Sequence, residues 1–395
     1  MAVCAGITYD AEDEIITVSY DEADGNHGST NGNEYNFEDI YDTDQDNSWG
    51  VFSKVSNVYT SNAAILFTGT STHFKETNYT TVIWNGTIAE TNLLKSILVS
   101  VLEFHNCTFI DNTGMYTTMH LRYPNDGGTR KTMDNCSIFG FYILNLDYID
   151  IKNTGFINTT VSYFGNYGTE ITFENCTMVG CSWGFMGNPY QAGAVKNIQV
   201  IDGSFGIYVN IENFTLRDIK VINCSYDYYI RGSGSGKVTN LINPEIDVDN
   251  YGISGPWDFD IIVNLQTEFV VNIENGDGGT ATIYDKDDNE VASTILSGEW
   301  TPSATTYVQR DIELVDNEVI KNDKNEYEPF TLEVTKSGYQ ELEITGITVT
   351  AGDKTSVFAK MKTPTYISDD LTATITEENI TSSITEDSIT AEVND

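Results

Sequence analysis

Residues 103–112 read "EFHNCTFIDN", and near copies follow: "MDNCSIFG" from 133, "FENCTMVG" from 173 and "VINCSY" from 221. Aligned on the amide, "IWNGTI" from 83, "IKNTGF" from 151, "VIDGSF" from 200 and "LINPEI" from 241 join them. The eight anchors are Asn85, Asn106, Asn135, Asn153, Asn175, Asp202, Asn223 and Asn243, spaced 18 to 29 residues apart. Two positions before each anchor stands an apolar residue: Ile83, Phe104, Met133, Ile151, Phe173, Val200, Val221 and Leu241. Three positions after stand Ile88, Phe109, Ile138, Phe156, Met178, Phe205, Tyr226 and Ile246, and the residue just after the anchor is small in nearly every copy. A period in the low twenties with apolar alternation around a fixed amide signals a solenoid: one coil cannot bury its inner face, and stacking does. Asn tolerates left-handed backbone angles. The anchors are therefore expected in the bends, buried and in register, forming one interior amide ladder. The apolar positions on either side are expected to point inward.

Over about residues 60 to 255 this pattern resembles the right-handed parallel β-helix of the pectate-lyase-like superfamily. The resemblance implies an internal Asn ladder and a fold that serves many functions. Cys107, Cys136, Cys176 and Cys224 fall on the small inward site and act there as stacked apolar fillers. Disulfides among them stay open, Cys4 and Cys181 are unassigned, and no Cys-x-x-Cys or His pair suggests zinc. Burial of the anchors leaves Asn78, Asn158, Asn213 and Asn379 as the candidate glycan acceptors among the Asn-x-Ser/Thr sites.

The 395 residues allow two or three domains, and the net charge is −39, with 59 acidic residues against 20 basic ones. The first 50 residues hold 13 Asp or Glu and no Lys or Arg, and nothing basic follows Lys362. Such a surface repels nucleic acid and anionic membrane, so neither is an expected partner. No stretch reaches the 18 or so apolar residues that span a bilayer, and the N-terminus lacks the basic and apolar regions of a signal peptide. Short Val, Ile, Thr, Tyr and Phe segments split by Asn, Asp and Gly mean β structure throughout, and no amphipathic helix longer than two turns is expected.

Four segments follow. Residues 1–60 are an acidic cap that covers the raw end of the β-helix. Asp42, Asp44 and Asp46 alternate like half a calcium loop, but the Gly and the closing acid are missing, so no cofactor is expected. Residues 61–256 are the β-helix. In 257–362 the strands lengthen, and "YDKDDNEV" with "FTLEVTKSGYQELEITGITVTAGD" is similar to the carboxypeptidase-regulatory-like, prealbumin-like (Ig-like) β-sandwich. That resemblance implies a stalk or spacer. Residues 363–395 hold a nine-residue repeat, "LTATITEEN", "ITSSITEDS", "ITAEVND", which resembles terminal repeats on virion structural proteins. It is expected to pair with another chain, and a disordered acidic tail is the alternative.

Catalytic candidates are thin. Asp147 and Asp150, with Arg122, Arg130 and Lys131 a coil or two earlier, are the nearest approach to a lyase or hydrolase site. His27, His73, His105 and His120 form no pairing, and no catalytic residue or metal ligand is assigned. Aromatic residues are more suggestive. Tyr142, Tyr163, Trp183, Tyr190, Tyr208 and Tyr229 recur roughly once per coil past the bend, and facing outward they would form a track for sugar rings. The expectation is a non-enzymatic attachment or structural protein of a virion or cell surface, extracellular, contacting glycan or a receptor. Trimers and docking of the tail onto other surface proteins are expected. The alternatives are a polysaccharide lyase or glycoside hydrolase of the β-helix type, and a cell-surface adhesin.

Overall fold

The computed structural model describes residues 6–19, 34–69, 71–97, 99, 101–121, 131–146, 149–164, 171–185, 195–209, 214–230, 234–254 and 258–363. It is an all-β protein with a parallel β-solenoid of about six turns. The chain divides into two compact units: Met1–Leu216 with Lys220–Gly232 and Asp247–Ser254, and Arg217–Ile219 with Ser233–Ile246 and Gly255–Asp395.

Each solenoid coil in the first unit contributes to three parallel faces. The first face stacks His73–Glu76, Val101–His105, Lys131–Asp134 and Ile149–Lys152. The second stacks Val58–Ser61, Thr80–Asn85, Cys107–Asn112, Ser137–Phe139 and Gly155–Ile157. Thr172–Val179 and Val195–Ile201 run through both, with a bend at Asn175 and at Asn197. The third face stacks Ile15–Ser19, Ala64–Thr68, Asn92–Ile97, Thr118–Leu121, Ile143–Leu146 and Val161–Phe164. A separate four-stranded parallel sheet holds Trp183–Phe185, Phe205–Val209, Tyr226–Ile230 and Tyr251–Ile253.

The bends explain the repeat and correct its alignment. From Asn135 onward two left-handed corners occur per coil, five residues apart, and the Asn106 coil has the first alone. The first holds Asn106, Asn135, Asn153, Asn175 and Asn197, with φ between 51 and 58°. The second holds Gly140, Asn158, Gly180, Asp202 and Asn223, with φ between 53 and 78°. Only Gly, Asn and Asp enter this backbone region without large cost, so both corners select the same residue types. Aligning on the amide alone therefore merged two columns. Asn106, Asn135, Asn153 and Asn175 belong to the first, Asp202 and Asn223 to the second. Asn85 is at neither: it ends a strand and accepts from Asn112 Nδ2 at 2.7 Å. Asn243, in the second unit, repeats the left-handed corner with φ 49°.

The amide ladder exists, but outside. Asn135 Nδ2 donates to Asn106 Oδ1 at 2.7 Å, Asn175 Nδ2 to Asn153 Oδ1 at 3.2 Å and Asn197 Nδ2 to Asn175 Oδ1 at 2.7 Å. Asn153 Nδ2 turns instead to Asp134 Oδ1 at 2.8 Å, and in the second column Asn223 Nδ2 donates to Asp202 Oδ1 at 3.2 Å. Asn135, Asn153, Asn175, Asp202 and Asn223 are exposed, and Asn85 and Asn106 are half-buried. Asn243 alone of the eight is buried, with its Nδ2 on Asp218 Oδ1 and Glu268 Oε2, each at 3.0 Å. A convex corner points its side chain to solvent, which is the reason the interior ladder is not found.

The core fills from the residues between corners. Phe104, Met133, Ile151 and Phe173 on the first face, and Phe109, Ile138, Phe156 and Met178 on the second, are fully buried. Cys107, Cys136 and Cys176 fill the site after the first corner as free thiols, and Cys181 is buried after the second. Cys224 also follows the second corner but is only half-buried. Ile83, Phe205 and Tyr226 do not point inward as the repeat alignment implied. Ile83 alternates with buried Val82 and Trp84, and Phe205 and Tyr226 follow the second corner rather than the first.

The N-terminal segment holds an 11-residue helix, Phe37–Asn47, longer than the two turns expected of any helix in this chain. Asn36 caps it by accepting from Glu38 N and Asp39 N, and the Asp39 carboxylate accepts in turn from Asn36 N. Its Phe37 packs on Phe74 at 5.0 Å and joins Phe67, Phe104 and Phe109 in the core of the first coils. Asp42, Asp44 and Asp46 lie on this helix, not in a loop. Buried Asp44 accepts the backbone N–H groups of Gly50, Val51 and Phe52 at 3.2, 2.9 and 2.9 Å.

In the second unit Phe259–Thr267 pairs in parallel with Gly234–Ile242 and antiparallel with Thr305–Val315, which pairs antiparallel with Glu318–Glu326. The two quoted stretches fold as hairpins: Thr280–Tyr284 with Glu290–Ile295, and Phe330–Thr335 with Leu342–Ile347. They join in one antiparallel sheet through Thr280–Tyr284 and Phe330–Thr335. Phe269–Glu274 pairs in parallel with Thr355–Lys360, and Phe269 meets Phe330 edge to face at 5.4 Å. The nine-residue repeat lies outside the described residues.

Candidate functional site

Two corners per coil give two ways to place a side chain after a bend. Trp183, Phe205 and Tyr226 each stand three residues after the second corner and align across the four-stranded sheet. Tyr208 and Tyr229 stand six after it and also align. Trp183 stacks on Tyr208 at 5.1 Å with planes 9° apart. Phe205 stacks on Tyr226 at 6.0 Å and 14°, and meets Tyr229 at 4.3 Å. The five rings form one connected cluster. Tyr208 is its buried base and Tyr226, 39 % exposed, its most open ring.

The backbone beneath is shaped for these rings. A Cβ at Gly252 would lie 2.6 Å from Tyr229 Cδ2 and 3.3 Å from Tyr226 Cδ1, so a side chain there would displace both rings. Tyr229 donates its hydroxyl to Ser254 Oγ. Beside the cluster, Asp227 holds the turn that carries Tyr251. Its carboxylate accepts Asp247 N at 2.6 Å and Asn250 Nδ2 at 2.8 Å, and burial pushes its pKa up. Tyr228 points inward, donates to Val248 O at 2.8 Å and stacks on Tyr251 at 5.3 Å. The rings and their support are thus held by the last coils rather than by flexible loops.

Of the aromatic residues expected to form a track, Trp183, Tyr208 and Tyr229 are brought together. Tyr142 stands apart, edge-on to exposed Tyr116 at 4.5 Å. Tyr163 takes its place on the third face opposite Asn145, but its side chain, like all of Tyr190, lies outside the described part. Phe205 and Tyr226 were missed, because their place was counted from the wrong corner. The signal that finds them is the five-residue offset between the two left-handed positions.

The candidate glycan acceptors differ in setting. Asn78 is exposed in the turn after His73–Glu76, and Asn158 is exposed at the second corner with its Oδ1 over Gly180. Asn213 and Asn379 lie outside the described residues. The carboxylate and basic candidates for catalysis do not converge. Lys131 is buried and aligns with Ile149, whereas Asp150 aligns with outward Thr132 and Thr172. Asp147, Arg122 and Arg130 lie outside the described residues. Among the described residues no group of three or more His, Cys, Asp or Glu side chains could hold a metal ion. His105 sits between Glu103 and Asp134, 3.8 Å from each, and His120 Nε2 meets Asn145 Nδ2 at 3.4 Å.

Compared with protein-family models, with characterised proteins and with solved structures, the chain matches none of them.

Proposed function

We propose that this protein is a non-enzymatic attachment or structural protein of a virion or cell surface, working outside the cell. In this reading the aromatic cluster of the last solenoid coils contacts glycan or a glycosylated receptor. The observation that carries it is the five-ring cluster of Trp183, Phe205, Tyr208, Tyr226 and Tyr229, with Tyr226 open to solvent. Pyranose rings present C–H faces that pack on such rings, and a rigid sheet holds them without an ordering cost. Phe330–Thr335 and the strands around it act as a prealbumin-like spacer, and the nine-residue tail docks onto neighbouring surface proteins. Binding to a glycan array, repeated with Trp183→Ala and Tyr226→Ala, tests the reading. Loss of binding with an unchanged melting temperature supports it, and retained binding in both variants sinks it. Release of reducing ends or unsaturated uronates by the wild type would favour the polysaccharide-cleaving alternative instead.

A specific observation also favours self-association. On the second face Ile83, Ile110, Phe139, Ile157, Val179 and Ile201 align coil over coil on the outward side, all half-buried. The parallel outward column, Thr81, Thr108, Ser137, Gly155, Thr177 and Gln199, carries no charge. On a chain of net charge −39, two copies meet with least repulsion along such a lane. We infer a homo-oligomer, with a trimer as the expected form. Light scattering should give a multiple of the 43.8 kDa chain mass, falling to one chain in Ile157→Lys. A wild-type monomer at tens of micromolar would end this reading.

A further inference from the structure

The second unit contains a cleft of about 770 Å³, within the size range of small-ligand sites. Two of its lining residues, Asn264 and Gln309, belong to a row of side-chain amides crossing four strands. Asn264 Nδ2 donates to Asn240 Oδ1 at 2.9 Å, Gln309 Nε2 donates to Asn264 Oδ1 at 3.0 Å, and Asn325 Nδ2 donates to Gln309 Oε1 at 3.4 Å. Each bond fixes which way the amide points. Asn264 and Gln309, which line the cleft, each keep a second N–H and a second oxygen lone pair beyond these bonds. Thr306 adds a hydroxyl, which accepts from Gln266 Nε2 at 3.3 Å.

The walls supply Trp300 and Tyr327. Trp300 is half-buried, and its backbone is pinned to Val271 in both directions, at 2.8 and 2.9 Å. Charge is nearly absent. The lining holds no Lys, Arg or Glu, and its single acid, Asp285, is 4 % exposed. Asp285 spends its carboxylate on its own turn, accepting from Asp287 N at 2.9 Å and from Asn289 N at 2.9 Å and Nδ2 at 3.1 and 3.0 Å. A cation finds no free carboxylate here, and a phosphate or uronate finds no basic group. A neutral polyol fits both requirements: its hydroxyls donate to and accept from fixed amides, and its C–H face packs on indole.

We propose that this cleft is a binding site for a neutral oligosaccharide, separate from the aromatic cluster of the first unit and not dependent on it. The experiment uses the full chain and a set of neutral hexose tetrasaccharides of gluco, manno and galacto configuration, with a tetrauronate as the charged probe. Hydrogen exchange should show protection in 300–309 by at least one neutral probe and none by the tetrauronate. Trp300→Ala should weaken that neutral probe by about tenfold or more, the scale of one lost aromatic contact in a small site. Thr306→Ala, a milder change, should weaken it less while leaving the melting temperature unchanged. Trp183→Ala should leave this binding intact, so a failure of the aromatic-cluster reading remains distinguishable. Wild-type affinity retained in both Trp300→Ala and Thr306→Ala, protection confined to other segments, preference for the tetrauronate, or no protection by any neutral probe at millimolar concentration would each overturn the proposal.

Discussion

The first and second faces of the solenoid come from the same coils, and two strands run through both, yet their outer surfaces differ. Thr172–Val179 carries Glu174 on one side of the Asn175 corner and Val179 on the other. On the first face, charges alternate from coil to coil in the column of Asp134, Lys152, Glu174 and Lys196, and an opposite pair opens the column beside it. Lys75 meets Glu103 at 3.2 Å, and Glu174 lies between Lys152 at 3.9 Å and Lys196 at 3.1 Å. That lane satisfies itself within one chain. The second lane, from Ile83 to Ile201, stacks like on like and leaves one apolar edge towards solvent. The contrast shows that the stack, not the coil, chooses surface chemistry. A residue's vertical neighbours lie one strand spacing away, about 4.8 Å, so each column is selected as a unit.

Four measurements can break or sharpen this contrast. The largest effect is expected beneath both lanes. Phe173 is fully buried against Phe156 at 5.6 Å and Phe185 at 5.4 Å. Phe173→Ala should cost about 3–5 kcal/mol in denaturant unfolding. A cost below about 1 kcal/mol, the range of a surface change, would mean the lanes do not share a core.

Alkaline pH should weaken the same core. Burial pushes the Cys176 thiol up to about 12 from 9.0. The folded state therefore favours the neutral thiol: its contribution is complete below the unfolded value and is lost as pH rises towards the folded one. Unfolding free energy should fall from about pH 9 upward, and less steeply in Cys176→Ala. Equal slopes would place the loss elsewhere, for example on buried Tyr59 or Tyr307, whose hydroxyls burial also pushes up.

The corner comes next. Asn175→Ala removes two amide bonds at an exposed site and puts at φ 55° a residue that lacks the tolerance of Asn for left-handed backbone. The expected cost is about 1–2 kcal/mol, mostly from the backbone. Asn175→Gly should recover most of it, because Gly enters that region freely. Equal losses in both variants would show that the outer ladder, not the corner conformation, matters. The smallest effect belongs to the charged lane. Glu174→Gln should change stability by under about 1 kcal/mol and lose its effect in high salt, because the pairs are partly exposed. A salt-independent loss would show that these ions are more deeply enclosed than their exposure implies.

Much of the fold was legible in the sequence. Period, strand composition and the Asn-Cys-Ser/Thr recurrence follow from local chemistry: only a few residue types tolerate a left-handed corner, and only small or apolar ones fit inside. The hairpins around "YDKDDNEV" and "TKSGYQ" were equally readable, because a turn needs only its own residues. Trp183, Tyr208 and Tyr229 stood out by recurring once per coil, but Tyr208 is buried rather than facing outward. What stacking alone decided is which corner, if any, each amide occupies, and so whether Phe205 and Tyr226 face water or core. The two corners select the same residues five positions apart, and nothing within one coil tells them apart. The turn that spends Asp285 and the amide row from Asn240 to Asn325 were likewise invisible, because their partners come together only when distant strands pair.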